Sequence, residues 1–566
     1  MTRTTSLPRP AAAVPGPLDE PFYDLVEARF RRILARYPAN ATFLGIHDFD
    51  ETLGDGTRDG VLAEIAEERE HLRAITAMDA SLLSPEARFE RDLETFLVRR
   101  TLFDLERHRV WERRSSAIEM IGDALFGLFA RDFAPLPERL AAMTARIEDV
   151  PRILAEHRTR PDGRPQVATW QGLELESGED VPTMFDEVLV TARSELPETG
   201  MRRLERAVER GKAAIEEHAA WVRGSLAGAV DDWALGPDLF DELVELREFD
   251  GLDAVTIEAI GHEELAHHEE ARRACARELD PERDEADVIE AIAHDHPASF
   301  AEALAGYRRA IGAAREFVER HRLVTMPPNE RLLVVETPEY MRNVLPSAAY
   351  FYPSRFDRDS PGIYVVTPSV GDDPRAMEQH NWPAITNTSI HEAYPGHHLQ
   401  MSVAALHPSL TRIQVDAPEF VEGWAMYCEQ MMREQGYETA PPSRIAMHGD
   451  AIFRAARIIL DVRMHRDGMP VDEAVAFLRS QTGFSEPVAR AEVRRYTYTP
   501  TYQMSYLLGK VLLLRLRDAE RGRLGEAFDL RAFHDRLMAN GPLPISFHRR
   551  TFEDAPGPEP LLAAGR

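Results

Sequence analysis

Three histidines and a glutamate fall within one short run, His391-Glu392-Ala393-Tyr394-Pro395-Gly396-His397-His398, followed by Leu399-Gln400 and preceded by Asn387-Thr388-Ser389-Ile390. Imidazoles are metal ligands, and a carboxylate beside one of them can act as general base on metal-activated water. In the ordinary H-E-x-x-H pair the histidines lie four apart and share a helix face. Here they lie six apart, which on an unbroken helix means a rise of about 9 Å and a rotation of about 120°. Two nitrogens that must each approach one ion to about 2 Å cannot be that far apart. Pro395-Gly396 resolves the conflict, because proline interrupts the backbone ladder and glycine permits a looped-out bulge. His391 and His397 are then the expected ligands, with His398 the competing second ligand or a substrate contact.

A hydrolytic zinc site takes a third protein ligand. Glu422 follows His397 by the length that one helix end, a turn and a returning helix require, and is the expected third ligand. Glu429, seven residues on and on the same face, suits a partner that orients a ligand histidine. A further cluster runs from Arg494 to Lys510 and holds four of the 14 tyrosines, Tyr496, Tyr498, Tyr502 and Tyr506. Tyr498, Tyr502 and Tyr506 recur at helical spacing and are expected to line one helix face, where a phenol can donate to an oxyanion; an aromatic stripe of this kind is otherwise core. Gln503 and Lys510 fall in the same run, and Lys510 is expected to hold a ligand carboxylate or to fix the tyrosine helix. Gly261 to Glu269 also carries H-E and further histidines, but His262 and His267 point about 140° apart on a regular helix. That stretch reads as a solvated helix surface.

These groups need scaffolding, and helical periodicity supplies most of it. Phe22–Tyr37 has apolar residues at helical spacing up to Pro38, and similar stretches follow over 59–79, 86–112, 136–158, 199–228, 253–279 and 298–322. Leu332–Thr337 and Gly362–Val366 are short β-branched runs between prolines and read as strands of a small sheet. Helical periodicity resumes near Trp382 and holds to about Met538, after which Pro542 and Pro544 dissolve it. The expected organisation is a disordered leader over 1–18, a helical region over 19–322, a metal-binding catalytic region with the sheet over 323–550, and a tail over 551–566.

The chain has 566 residues and a formal net charge of -29. That charge repels phosphate backbones and anionic membrane surfaces, so neither nucleic acid nor membrane is an expected partner. No apolar run approaches the roughly 18 residues of a membrane span, and the expected location is cytoplasmic. Only two cysteines, Cys275 and Cys428, are present, which leaves His, Asp and Glu to hold any metal. Lys212 and Lys510 are the only lysines.

The chain resembles the bacterial family known as domain of unknown function 885. His391–Gln400 matches its H-E-x-x-P-G-H-H-x-Q segment, Glu422–Glu429 its E-G-W-A-x-Y-x-E segment, and Pro500–Lys510 a late P-x-x-Q-x-x-Y-x-x-G-K-like segment. The likeness runs over about 22–550 and takes in Phe43–His47 and Ala348–Pro353. That family looks like a distant relative of the helical gluzincin peptidases, such as thimet oligopeptidase and angiotensin-converting enzyme. The resemblance implies a mainly α, large, cleft-bearing fold with zinc on the cleft floor and a small β-sheet near the active site. It also implies that an edge strand pairs with extended substrate, and Gly362–Val366, carrying Tyr364, is the candidate edge. Met426 departs from the acidic residue that angiotensin-converting enzyme has four after its glutamate ligand.

The expected function is a zinc-dependent hydrolase of peptide or amide bonds in short peptides, holding one zinc or another divalent ion through His391, His397 and Glu422. Glu392 is its general base, and Tyr506 with Tyr498 or Tyr502 supports the oxyanion. The partner is a short peptide or amide substrate, and a homodimer is allowed for. A metal-dependent amidase of a modified small molecule, and a non-catalytic metal- or peptide-binding relative, are the alternatives.

Overall fold

The computed structural model describes residues 7–337, 348–357, 360–368 and 377–553. Residues 1–6 of the leader, Pro338 and residues 554–566 of the tail lie outside these. Helices dominate, and the one sheet among the described residues has three strands. The chain divides into two compact units: Met1–Trp233 with Ser354–Ser360 and Pro408–Gln414, and Ala234–Pro353 with Pro361–His407 and Val415–Arg566. The helices Ala254–Leu279 and Phe300–His321, grouped by sequence with the first half, therefore belong with the second.

Two apolar cores lie in the first unit. Helices Ala117–Phe129, Leu136–His157, Ala168–Ala192 and Glu198–Ser225 build one around Ile121, Leu140, Ile147, Phe185 and Leu204. Phe22, Phe30 and Ile75 centre the other. Beside them Arg29, 1% exposed, pairs with Glu68 at 2.8 Å and Glu94 at 3.2 Å, and Glu94 also accepts from Thr411 at 2.6 Å. Residues 7–18 carry no helix or strand, yet Arg9 pairs with Glu20, Asp24 and Glu27 of the helix Asp19–Arg36 at 3.0, 2.8 and 2.8 Å. From Leu7 onward the leader is held. The helix expected over 86–112 is continuous only over Pro85–Leu102; a π-helical turn, Phe103–His108, then leads to Arg109, which has φ 54°. Ala117–Phe129 escapes a periodicity test because it is apolar on most faces.

In the second unit the strand order is β1-β3-β2, with β1 Leu332–Glu336 parallel and β2 Ala348–Phe351 antiparallel to β3 Gly362–Val366. Tyr364 faces Val334 on one side and Tyr350 on the other. Gly362–Val366 is thus the central strand and not an edge. Its near-complete burial marks it as such, whereas β1 and β2 are half-exposed. Arg308 occupies the Val334 carbonyl of β1 at 2.9 Å.

Two helix pairs carry the site. Ala254–Leu279 packs on Pro441–His465, with Gly261 against Ile458 and Ile459. Pro418–Glu434 packs on Ser505–Leu524 at a glycine crossing: a Cβ on Gly423 would lie 2.5 Å from Gly509 C, and one on Gly509 would lie 1.8 Å from Glu419 O. Past Met538 the chain is helical once more over Ile545–Glu553, where Pro544 precedes the first turn. Proline there opens a helix and does not dissolve one.

Candidate metal centre

The helix Trp382–Glu392 begins under an Asn381 cap, whose side chain accepts from Ala384 N at 2.9 Å. It ends at Glu392, and a second helix, His397–Ala404, starts five residues later. Between them Gly396 N reaches Ile390 O at 3.1 Å and Leu399 N reaches Ala393 O at 3.3 Å, so the ladder resumes with the Tyr394–Gly396 segment looped out. Trp424 Nε1 donates to Pro395 O at 2.9 Å and holds that loop. Gly396 is needed because a Cβ there would lie 1.8 Å from His391 O.

The bulge brings the His391 and His397 rings to a centroid distance of 4.8 Å. Glu422 Oε2, from the helix Pro418–Glu434, lies 3.6 Å from His391 Nε2 and 3.3 Å from His397 Nε2. Donor atoms of all three fall within 4.8 Å of one another, the only such group of His, Cys, Asp and Glu among the described residues. Ligands about 2 Å from a tetrahedral ion sit roughly 3.4 Å apart, so the spacing fits one metal, and two imidazoles with a carboxylate suit zinc. Burial disfavours the His391 cation, but hydrogen bonds to Glu422 and Glu429 outweigh it and raise its pKa to about 10. Glu422 is buried too, yet the His397 charge and the histidine hydrogen bonds hold its carboxyl far below the usual range.

Glu429 Oε1 meets His391 Nδ1 at 2.8 Å, which fixes the ring with Nε2 toward Glu422. Glu392, the last residue of its helix, is half-buried. With burial itself, its charge helps push the phenol pKa of Tyr307 upward. Tyr502 OH donates to Glu422 Oε1 at 3.4 Å and lies 3.2 Å from Tyr506 OH. Arg457 lies 5.0 Å from the Tyr506 ring centroid.

Four expectations are revised. Tyr498, Tyr502 and Tyr506 do not share a helix, because Ser505–Leu524 starts only after a run of turns. Pro500 and Thr501, with φ 68°, break the helix, and buried Asp461 accepts from Thr501 N at 3.0 Å and Met504 N at 3.2 Å. Tyr498 stands in those turns, and Gln503 Nε2 donates back to Thr499 O at 3.3 Å. His398 is not grouped with the ligands: it is fully buried, with Nε2 on Glu330 and Nδ1 2.9 Å from Tyr350 OH of β2. Lys510 is 2% exposed and lies among the charges of Glu264, Glu429 and Glu434, where burial lowers its pKa, so it is enclosed among the protein's own carboxylates. The Gly261–Glu269 stretch is solvated at His262 and His267, but His268 is buried, with Nδ1 2.9 Å from His448 Nδ1 and Nε2 3.4 Å from Glu264.

The family profile described as "Bacterial protein of unknown function (DUF885)" matches residues 38–551, a span that includes every residue of this centre. The chain belongs to the DUF885 family. No curated protein matches this DUF885 chain. Solved structures that share its fold include the following two. A candidate lipoprotein of unknown function from Shewanella oneidensis is 22% identical, with TM-score 0.77, over 94% of this chain and 100% of its own. A candidate lipoprotein from Colwellia psychrerythraea is 18% identical, with TM-score 0.81, over 94% of this chain and 98% of its own.

Other groups of this DUF885 chain attach to the centre without a motif of their own. Glu330 accepts from Tyr394 and His398 and pairs with Arg315 at 3.3 Å, so it grips the start of the bulge and the helix that follows it. Asp450 and Arg454 form an i,i+4 pair at 3.0 Å on the helix Pro441–His465. Their spacing is a visible signal, but it is common on solvated helices.

Proposed function

We propose that this DUF885 protein is a metal-dependent hydrolase of peptide or amide bonds in short substrates, with zinc the ion its donor set suits. The observation that carries the reading is the convergence of His391, His397 and Glu422 at spacings of 3.3 and 3.6 Å to the shared carboxylate oxygen. A bound ion would supply a lowered pKa for water and polarisation of a carbonyl. The chain's own residues do the rest. Glu392, adjoining His391, takes the proton of the attacking water and returns it to the leaving amine. Tyr502 and Tyr506 donate hydrogen bonds to the oxyanion as charge develops on it.

The likeness to helical gluzincin peptidases, with the metal on a cleft floor, belongs to this proposal. Extended substrate would add to an edge of this sheet and not to β3, which is paired on both sides. Tyr350 of β2 contacts His398, the neighbour of His397. The reading keeps a cytoplasmic location; recovery in a membrane or periplasmic fraction would count against it. No helix among the described residues is long and apolar enough to cross a membrane.

The test is metal analysis of the wild type and Glu392→Gln, with turnover on blocked and unblocked dipeptides. Glu392→Gln should keep one equivalent of metal and lose about 10²-fold or more in kcat. Full turnover by that variant would end the assigned mechanism.

A further inference from the structure

Asn387 lies one helical turn before His391 and is 1% exposed. Its Nδ2 stands 2.9 Å from Glu429 Oε2 and 2.8 Å from Asp450 Oδ2. Two carboxylate oxygens around one atom identify that atom as the amide nitrogen, and each of its two hydrogens is then used. Glu429 directs its other oxygen to His391 Nδ1 at 2.8 Å, and its main-chain carbonyl accepts from Arg433 at 2.7 Å. Asp450 directs its other oxygen to Arg454 at 3.0 Å.

The two carboxylates can be no farther apart than these two hydrogen bonds laid end to end. Without a shared donor the buried carboxylate of Glu429 and the half-exposed one of Asp450 would repel, and Glu429 would be driven off its line to His391. We propose that Asn387 is a positioning residue: by bridging Glu429 and Asp450 it keeps Glu429 on His391 Nδ1, and so keeps His391 Nε2 turned toward Glu422. The role rests on the metal reading of the site and acts through Glu429, not on substrate. An isosteric Asn387→Asp change preserves the shape, removes both donors and adds a third acidic group.

The experiment is a competition titration of the full chain with zinc against a chromophoric chelator, with far-UV circular dichroism as the control for folding. Asn387→Asp should weaken zinc binding about 10- to 100-fold, as should Glu429→Gln. The double variant should bind within about threefold of Glu429→Gln alone, because the two changes break one linkage. Zinc affinity equal to wild type in Asn387→Asp, or losses that multiply in the double variant, would overturn the role. Should Asn387→Asp not fold, Asn387→Ser leaves one hydroxyl and no new charge, and it is expected to lose about 10-fold; undiminished affinity would overturn the role equally. A wild type that takes up no divalent ion defeats the metal reading itself, whereas tight binding by every protein alike defeats only the assignment to Asn387.

Discussion

His397 Nε2 lies 3.3 Å from Glu422 Oε2, whereas the next ring in the chain, His398, is sealed between Glu330 and Tyr350. Adjacent histidines thus have opposite duties, one facing the candidate ion and one bracing the bulge. His397→Ala should lose bound zinc at least about 100-fold, while His398→Gln should retain one equivalent and lose thermal stability instead. Elemental analysis after gel filtration, with melting curves of both variants, checks this. Equal metal content in the two would contradict the division.

Glu330 ties Tyr394, the first residue of the looped-out segment, to His398 of the helix that follows it. Glu330→Gln removes a buried charge that accepts from both, and should cost about 2 kcal/mol in urea unfolding. The same variant should also bind zinc more weakly. An unchanged midpoint and affinity would mean that the bulge is held by other contacts.

Lys510 lies enclosed near three carboxylates. Lys510→Met should destabilise the fold by about 1–3 kcal/mol, since it removes a buried cation from among those carboxylates. It should change KM for peptides with free and amidated C-termini by the same factor. A selective loss for free carboxylates would restore Lys510 as a substrate contact.

Burial lowers the pKa of His465 and His534 to about 4 each, and His268 to about 4 with the Lys510 charge adding to the effect. A histidine whose folded value lies below its unfolded value of about 6.5 supports the fold fully above that pH, and its support is lost as pH falls toward the folded value. For fully buried His465 and His534 this amounts to on the order of 3 kcal/mol each. Urea midpoints should therefore fall steadily from pH 6.5 to 4. His534→Gln, which keeps polar atoms near Tyr427 and Leu323 without titrating, should show a shallower acid limb; an equal slope would assign the acid loss elsewhere.

His47 behaves in the opposite sense. Burial works against its charge, but Asp357 at 3.0 Å and Asp50 at 2.8 Å raise its pKa to about 9. Its contribution is complete below about pH 6.5 and is lost as pH rises through 9. His47→Gln should lower stability at pH 7 and abolish the alkaline part of the wild-type decline, readable in melting temperatures from pH 7 to 10.

His391, His397 and Glu422 were legible in the chain because Pro395 and Gly396 break a helix at the one place where a spacing of six becomes workable. The DUF885 motifs and the mainly helical character were legible for similar local reasons. The misreadings share another cause. The burial of His398 depends on Glu330 and Tyr350, and that of Lys510 on helices far away in sequence, so no local pattern announces either. β3 alternates no differently from an edge strand, and only its two neighbours make it central. The tyrosine spacing of four suggested a helix that Asp461 and Pro500 instead turn into a capped entry.

At Gly423 and Gly509 the helices bearing Glu422 and Tyr506 touch main chain to main chain. No rotamer stands between them, so the reach from carboxylate to phenol is set like a hard stop, and a ligand must suit that interval as it finds it. Any methyl group added at the crossing acts as a wedge at a hinge pin, shifting Glu422 against Tyr506 without touching either side chain.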